Sequence, residues 1–409
     1  MNAHGELLAV ECEDVAWFRD QPEAARGSAA ALGRRIGLGE TRTAELVLAV
    51  AELAANLTKH AVNGSVLLRV LRNQEVAGVE VIVVDGGPGI ADVTAALRDG
   101  TSTAGTLGIG LGAVHRLADS FDIHSQPGIG TVQVASFWPR SSRPSRAGEV
   151  AVSGITRAIS GEEVCGDAWM ARVDTGERAS SAHREEATPR RVTGPVAPDW
   201  SAMTATRPQG ERVSGASPDA DSSSRPGTRG RSVPLVRAAV AGPGQATLVM
   251  SCDGLGHGPM AALAAQAAVQ AFRTGAARTP EQAMEQVHRA LRGTRGAAVA
   301  IARIESDDRV LFCGVGNITA ALVTTTSRAN LVSHPGIVGH QMRHLRTYES
   351  SLPARGVLVM HSDGLSERWA PTDLASVLHH PPALIAAHLL RHAGTRRDDA
   401  SAVVAKAAG

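Results

Sequence analysis

The sequence Asp253-Gly254-Leu255-Gly256-His257-Gly258 follows directly on the apolar run Thr247–Cys252. An apolar run that ends on an acidic residue and breaks into glycines reads as a buried strand. It delivers a carboxylate to its exposed end, where the backbone turns sharply. Such a carboxylate is placed to hold a metal, although Asp-Gly after a strand is also an ordinary turn. Three more acidic positions flank strand-like runs: Asp167 in Cys165-Gly166-Asp167, Asp363 in His361-Ser362-Asp363-Gly364-Leu365, and the pair Asp398-Asp399 before Ala402–Ala405. Acidic clusters far apart in sequence, each beside a strand, are the pattern of a multi-carboxylate cation site that folding gathers.

A chain of 409 residues has room for two or three domains with sizeable cores. It holds no run of eighteen uncharged apolar residues, and Met1–Val10 lacks a basic region followed by an apolar stretch. A soluble protein with no membrane span and no secretory signal is expected. The four cysteines, Cys12, Cys165, Cys252 and Cys313, have neither metal-ligand nor disulfide-framework spacing, which fits a reducing cytoplasm. With 41 basic against 40 acidic residues, nucleic acid is not an expected partner. Lysine occurs only at Lys59 and Lys406, so no glycine-rich loop carries the lysine of a Walker-type nucleotide site.

From Ala44 to Lys59, Leu46, Val47, Val50, Leu53, Ala54 and Leu57 recur at intervals of three and four, which predicts a helix with one packed face. Glu45, Glu52, Asn56 and Lys59 fall on the other side. Glu52 and Asn56 are four apart and can reach a common ligand, or they belong to a solvated helix face. Two strands are predicted at Val66–Leu71 and Val79–Val84, the second ending in Asp85-Gly86-Gly87-Pro88-Gly89. A strand-end Asp followed by glycines suits a base-binding pocket: the carboxylate accepts from an exocyclic amine while the glycines let the ring approach the backbone. Gly105-Thr106-Leu107-Gly108-Ile109-Gly110-Leu111-Gly112 then opens into a helical Val114–Ala118, where free N–H groups and the helix dipole favour phosphate. Gly128-Ile129-Gly130-Thr131 leads a last strand to Trp138.

These elements, in this order from about Val10 to Trp138, resemble the GHKL (Bergerat) ATP-binding fold, and within it the small Ser/Thr kinases of the anti-sigma and switch-kinase group. The string from Asp99 through Ser102, Gly108, Gly110 and Arg116 to Asp119 is more similar to the RsbT-like switch kinases than to the RsbW-like anti-sigma kinases. The resemblance implies that Glu52 is the general base toward a substrate hydroxyl, that Asn56 ligates Mg²⁺ and that Asp85 reads the adenine amine. It also implies that ATP is held by Gly87, Gly89, Gly105, Gly108, Gly110, Gly112 and Thr131. Positioning and charge neutralisation with little covalent work by the protein is what phosphoryl transfer requires.

Residues 139–150 are rich in Arg, Ser and Pro and are expected to link residues 1–138 to a second domain over 151–409. Residues 175–232 are loaded with Ser, Pro, Gly and Arg, and are expected to form a disordered insertion within that second domain. Helices are predicted at Met260–Phe272, Glu281–Leu291 and Pro382–Ala393. Strands are predicted at Ala297–Ile304, Val310–Val315, Ile318–Val323, Gly356–His361 and Ala402–Ala405, so the domain is α+β and layered.

Cys165-Gly166-Asp167, Asp253 to Gly258, Gly314-Val315-Gly316-Asn317, Ser362-Asp363-Gly364 and Asp398-Asp399-Ala400-Ser401 together resemble the SpoIIE group of metal-dependent Ser/Thr phosphatases of PPM type, a β-sandwich flanked by helices. Many members carry Gly-Gly-Asp where this chain has Cys165-Gly166-Asp167, and Thr where it has Ser401; neither change removes a carboxylate. The resemblance implies that Asp253 bridges two Mn²⁺ or Mg²⁺ ions, that the Gly254 carbonyl binds one, and that Asp167, Asp363 and Asp398 complete the shells. Oxygen ligands favour such hard cations, with His257 a turn residue. With no sensor module recognisable, the domain is most similar to RsbX-like phosphatases. A bifunctional kinase and phosphatase acting on STAS-domain antagonists is expected, within a stressosome-like complex or toward a sigma factor. A phosphatase whose N-terminal half only binds ATP or a partner remains the alternative.

Overall fold

The computed structural model describes residues 10–72, 76–98, 110–140, 152–174, 236–238, 245–342, 345–395 and 397–406. The expected insertion at 175–232 and most of the expected linker lie outside the described residues, as do Gly105 and Gly108.

The N-terminal part comprises β1 (Val10–Phe18), α1 (Ala25–Arg35), α2 (Glu40–His60), β2 (Ser65–Arg72), β3 (Ala77–Asp85), α3 (Val93–Ala96), α4 (Gly110–Leu117), β4 (Ser120–Gln126) and β5 (Gly130–Phe137). Then follow β6 (Val152–Arg157), β7 (Asp167–Asp174), β8 (Val236–Ala238), β9 (Ala246–Gly254), α5 (Pro259–Thr274), α6 (Pro280–Ala290), β10 (Ala297–Ile304) and β11 (Arg309–Val315). The chain closes with β12 (Thr319–Val323), β13 (Arg328–Leu331), β14 (Ser333–His334), β15 (Tyr348–Ser351), β16 (Val357–His361), α7 (Pro371–Ala375), α8 (Pro382–Ala393) and β17 (Ala400–Lys406).

The strands make three sheets. The first runs β4-β5-β3-β2-β1-β8, with every neighbouring pair antiparallel. The second runs β14-β11-β10-β9-β7, with β15 also on β11, and the third β13-β12-β16-β17-β6.

The period of two along each strand divides the cores. On β3, Val79, Val81 and Val83 pack with α1 and α2, whereas Ile82 and Val84 pack with α8. On β17, Val403 and Ala405 join the core shared with the second sheet, whereas Ala400, Ala402 and Val404 face α8. The layers are thus α1/α2, first sheet, α8, third sheet, second sheet, and α5/α6. Helix α8 lies between two sheets from opposite halves of the chain, which is why nearly all of its residues are buried. Burial of Leu384, Ile385, Leu389 and Leu390 stabilises this joint by about 1.5–3 kcal/mol each as an upper bound.

Polar contacts secure the same joint. Asp14 on β1 pairs with the fully buried Arg69 at 2.9 Å and accepts from the Thr156 N–H and hydroxyl at 2.8 and 3.0 Å. Trp17 Nε1 donates to Thr156 O at 2.8 Å and Arg19 to Ala158 O at 2.6 Å.

Helix α2 begins four residues before the apolar pattern does. Its first turn is held by the buried Arg42, which donates to Leu117 O at 2.5 Å and Trp138 O at 3.0 Å and pairs with Asp119 and Glu45. A buried arginine is invisible to hydrophobic periodicity. Among the described residues, no helix is long and apolar enough to cross a membrane.

Because α8 belongs to the cores of both halves, Leu384→Ala is expected to cost about 2–5 kcal/mol and to lower one shared transition in urea. Two resolved transitions with only one displaced would contradict the joint core.

Candidate active sites

In the second sheet β7 and β9 are antiparallel neighbours, and their register sets Asp167 directly opposite Asp253. The chain turns immediately after Asp253, with the Gly254 N–H donating to Gly166 O at 3.1 Å. From the third sheet, the end of β16 leads to Asp363 and the start of β17 follows Asp398 and Asp399. These segments meet so closely at Gly364 that a Cβ there would stand 1.9 Å from Asp399 O. Sheet-to-sheet packing therefore brings Asp167 and Asp253 of one sheet toward Asp363 and Asp398 of the other.

The acids differ in how they are held. Asp399 is buried and saturated by backbone donors: Ile159 N reaches one oxygen at 2.8 Å and Gly166 N the other at 2.7 Å. It pins the turn that carries Asp167. Asp398 is half-buried, and Asp363 is exposed with Oδ2 accepting from Asn317 Nδ2 at 2.7 Å. Asp167 is only 1% exposed, yet neither of its oxygens receives a hydrogen bond of standard geometry.

An unpaired buried carboxylate costs several kcal/mol unless it protonates or gains a counter-ion. Burial pushes the Asp167 acid up from 3.8 to about 7; the nearby Ser362 and Ser401 hydroxyls oppose the rise, and the Asp399 and Asp363 charges add to it. Asp253 is pushed to about 9 by burial and by the charges of Asp167, Asp363 and Asp398. The two titrate as a pair. Among the described residues no three acidic, histidine or cysteine side chains close into a preformed cage. The donor set is nonetheless all oxygen, with two unsatisfied buried atoms and mutual repulsion that a divalent cation relieves, so it fits Mg²⁺ or Mn²⁺. His257 is exposed and contacts Glu162 at 3.2 Å.

In the first sheet, β3 delivers Asp85 as predicted. Asp85 is buried, its Oδ1 accepts from Gly87 N at 2.8 Å, and its strand partner on β5 is Thr131. Thr131 is itself buried and its hydroxyl meets that of Ser125 at 2.9 Å. Gly130, at φ +128°, has no room for a side chain, since a Cβ would lie 2.1 Å from Asp85 O. Gly89 sits at the turn beyond Asp85 with φ +70°; Gly110 and Gly112 begin α4. Glu52 and Asn56 stand one turn apart on α2, both half-buried. Glu45, on the same helix, is instead engaged by Arg42 and Arg140.

Burial raises the Asp85 acid above the usual carboxylate range. Three features oppose that rise: the Gly87 N–H, the Arg391 guanidinium and the Thr131 backbone. Arg391 lies on α8, in the other half of the chain, and no motif pointed to it. Asp399 was likewise placed only as one of an acidic pair, and its role as a pin is visible only in the hydrogen bonds.

These two sites define a chain with a nucleotide-binding kinase-type half and a carboxylate-rich phosphatase-type half. The histidine kinase-like ATPase domain family matches residues 19–135, and the Stage II sporulation protein E (SpoIIE) family matches residues 243–408. The serine/threonine-protein kinase RsbT of Bacillus subtilis is 36% identical over 117 residues, 29% of this chain and 88% of RsbT. A solved structure of the bacterial stressosome is similar at 23% identity and a TM-score of 0.42, covering 63% of this chain and 98% of that one. A crystal structure of RsbX with magnesium is similar at 15% identity and a TM-score of 0.41, covering 62% and 92%. The chain belongs to the histidine kinase-like ATPase family through an RsbT-like N-terminal domain, and carries a SpoIIE phosphatase domain of PPM type at its C-terminus.

The acid pair sets the pH dependence of the metal-free protein. Both folded-state values lie above the ordinary 3.8, so the folded form keeps protons that the unfolded chain has released. Stability contributed by these groups is expected to fall as pH rises from about 4 through about 9. Thermal melting in EDTA should show this fall, Mn²⁺ should reverse it at pH 8, and Asp167→Asn should melt higher than wild type in EDTA while losing most of the Mn²⁺ gain. A Mn²⁺ shift that Asp167→Asn leaves intact would contradict the assignment.

Proposed function

We propose that the chain is a bifunctional partner-switching regulator of the cytoplasm. Its N-terminal domain phosphorylates a Ser or Thr of a STAS-domain antagonist with ATP, and its C-terminal domain removes such a phosphate, so that the balance controls an alternative sigma factor. The observation that carries the phosphatase half is the buried, unbonded carboxylate of Asp167 opposite Asp253 at the meeting of two sheets. In that half Asp253, the Gly254 carbonyl, Asp167, Asp363 and Asp398 would hold Mn²⁺ or Mg²⁺, with Asp253 as the shared ligand. Cations held there acidify a water and neutralise phosphate charge. The protein's own part is to hold the carboxylates: Asp399 fixes the Asp167 turn and Asn317 steadies Asp363.

An open cleft of about 360 Å³ is lined by Trp17, Arg19 and Asp20 from one half and Ser160, Glu162 and Cys165 from the other; Asp167, Asp253, Asp363 and Asp398 do not line it.

In the kinase half Glu52 is the base, Asn56 holds Mg²⁺, and Asp85 with Thr131 reads adenine. Gly87, Gly89, Gly110 and Gly112 are proposed to carry N–H groups to the nucleotide, and Gly105 and Gly108 are assigned to it from the sequence motif. Support comes from the 36% identity to RsbT over 117 residues and from the half-buried placement of Glu52 and Asn56 on one helix. A stressosome-type assembly is the proposed setting.

Purified protein with Mn²⁺ is expected to release phosphate from a phosphorylated STAS antagonist, and Asp253→Ala to abolish that release. No release by wild type would remove the phosphatase assignment. Glu52→Ala is expected to slow phosphorylation of the unmodified antagonist by roughly 10²–10⁴-fold while ATP still binds. If wild type binds ATP but never phosphorylates, the N-terminal half is a nucleotide-binding module.

A further inference from the structure

We infer that Arg391, on α8 of the phosphatase half, is a positioning residue for adenine recognition in the kinase half. The inference rests on the reading of Asp85 as the adenine reader and extends it across the joint between the two halves.

Helix α8 packs beneath the strand ends that form the base pocket, sharing a core with Val84 beside Asp85 and Val132 beside Thr131. Near its C-terminus, Arg391 donates from Nη1 to Ile129 O at 2.8 Å. Ile129 belongs to the turn that brings Gly130 against the Asp85 carbonyl and Thr131 alongside Asp85. One guanidinium thereby braces the turn behind the pocket. It also sets a positive charge near the Asp85 carboxylate, and each of the two charges favours the ionised form of the other. The Arg391 Nε is buried with no hydrogen-bond partner, so its desolvation is not offset by a bond of its own at that atom.

The chemistry explains why a cation belongs there. Asp85 can accept a hydrogen bond from an exocyclic amine only through a free acceptor oxygen, and one of its oxygens already takes the Gly87 N–H. Burial favours the protonated acid, which turns one oxygen into a donor and leaves the other a weaker acceptor, a poorer match to the amine. The Arg391 charge opposes protonation. The N-terminal half therefore has its adenine-reading carboxylate and turn positioned by a side chain from the C-terminal half.

A merely structural brace would weaken every purine nucleotide alike, whereas a brace acting through Asp85 affects those with an exocyclic amine. The test is titration calorimetry of ATP and ITP, each with Mg²⁺, on full-length wild type, Arg391→Met and Arg391→Lys. ITP carries a carbonyl oxygen in place of the amine. Wild type is expected to prefer ATP, Arg391→Met to bind ATP roughly tenfold more weakly with ITP unchanged, and Arg391→Lys to recover part of the loss. Mn²⁺-dependent hydrolysis of p-nitrophenyl phosphate should be the same in all three, which reports an intact C-terminal fold. Unchanged ATP affinity in Arg391→Met, or an equal loss for ATP and ITP, overturns the inference. Wild type that binds ATP and ITP equally would instead overturn the reading of Asp85 on which it rests.

Discussion

Helix α8 has two sheets to cover, and most of the architecture depends on that. A helix that packs on one sheet can keep a polar stripe toward water, but α8 meets the first sheet on one side and the third on the other. Its sequence, Pro382-Ala-Leu-Ile-Ala-Ala-His-Leu-Leu-Arg-His-Ala393, is accordingly apolar around most of its circumference. The buried His388 is kept neutral by desolvation, its value lowered to about 4, while its Nε2 meets Asp373 O at 3.0 Å. What would be the outer layer of one domain and the bare sheet of another become a single interior.

The C-terminal end of α8 touches both active-site regions. Arg391 reaches Ile129 in the turn behind the proposed nucleotide pocket. Three residues further on, Gly394 bridges to Leu365, and the Thr395 N–H donates to Gly364 O at 2.8 Å beside Asp363. The loop continues to Asp398 and Asp399, which border the acid cluster. Displacement of this helix end therefore has a short covalent and hydrogen-bonded route to both sites, in a chain whose two family-defined activities oppose each other.

The acid cluster places charge where it is least comfortable. Asp167 is walled in by its own turn and by Ser362 and Ser401, and Asp253 stands across the ladder from it. The fold tolerates the arrangement because the surrounding backbone is fixed independently: Asp399 ties the loop between β6 and β7 to the start of β17, and Ser362 Oγ accepts from Ser401 N at 2.9 Å. Rigid neighbours hold repelling carboxylates together, which is the condition for tight and specific cation capture.

Periodicity and strand-end chemistry made the local elements readable. The helix at Pro382–Ala393 is the predicted one. The strand bearing Asp85 ends on that residue, and the strand bearing Asp253 ends one residue beyond it, at Gly254. The glycine motifs and their order carried the two families, because close backbone approach leaves few substitutes at positions such as Gly130. Shorter and more polar elements escaped: β4 carries only Phe121 and Ile123 on its core-facing side among polar neighbours, and β13 to β15 are too short to show a period. What the sequence alone determined was the set of local conformations and the chemical type of each site residue, since both follow from side chains within a few positions of one another. Only tertiary structure decided which residues meet across the chain: Asp167 opposite Asp253, Asp399 as a pin rather than a neighbour of Asp398, and Arg391 against the Ile129 turn. These depend on ladder register and on how one helix is shared between two sheets, which no short stretch of sequence encodes.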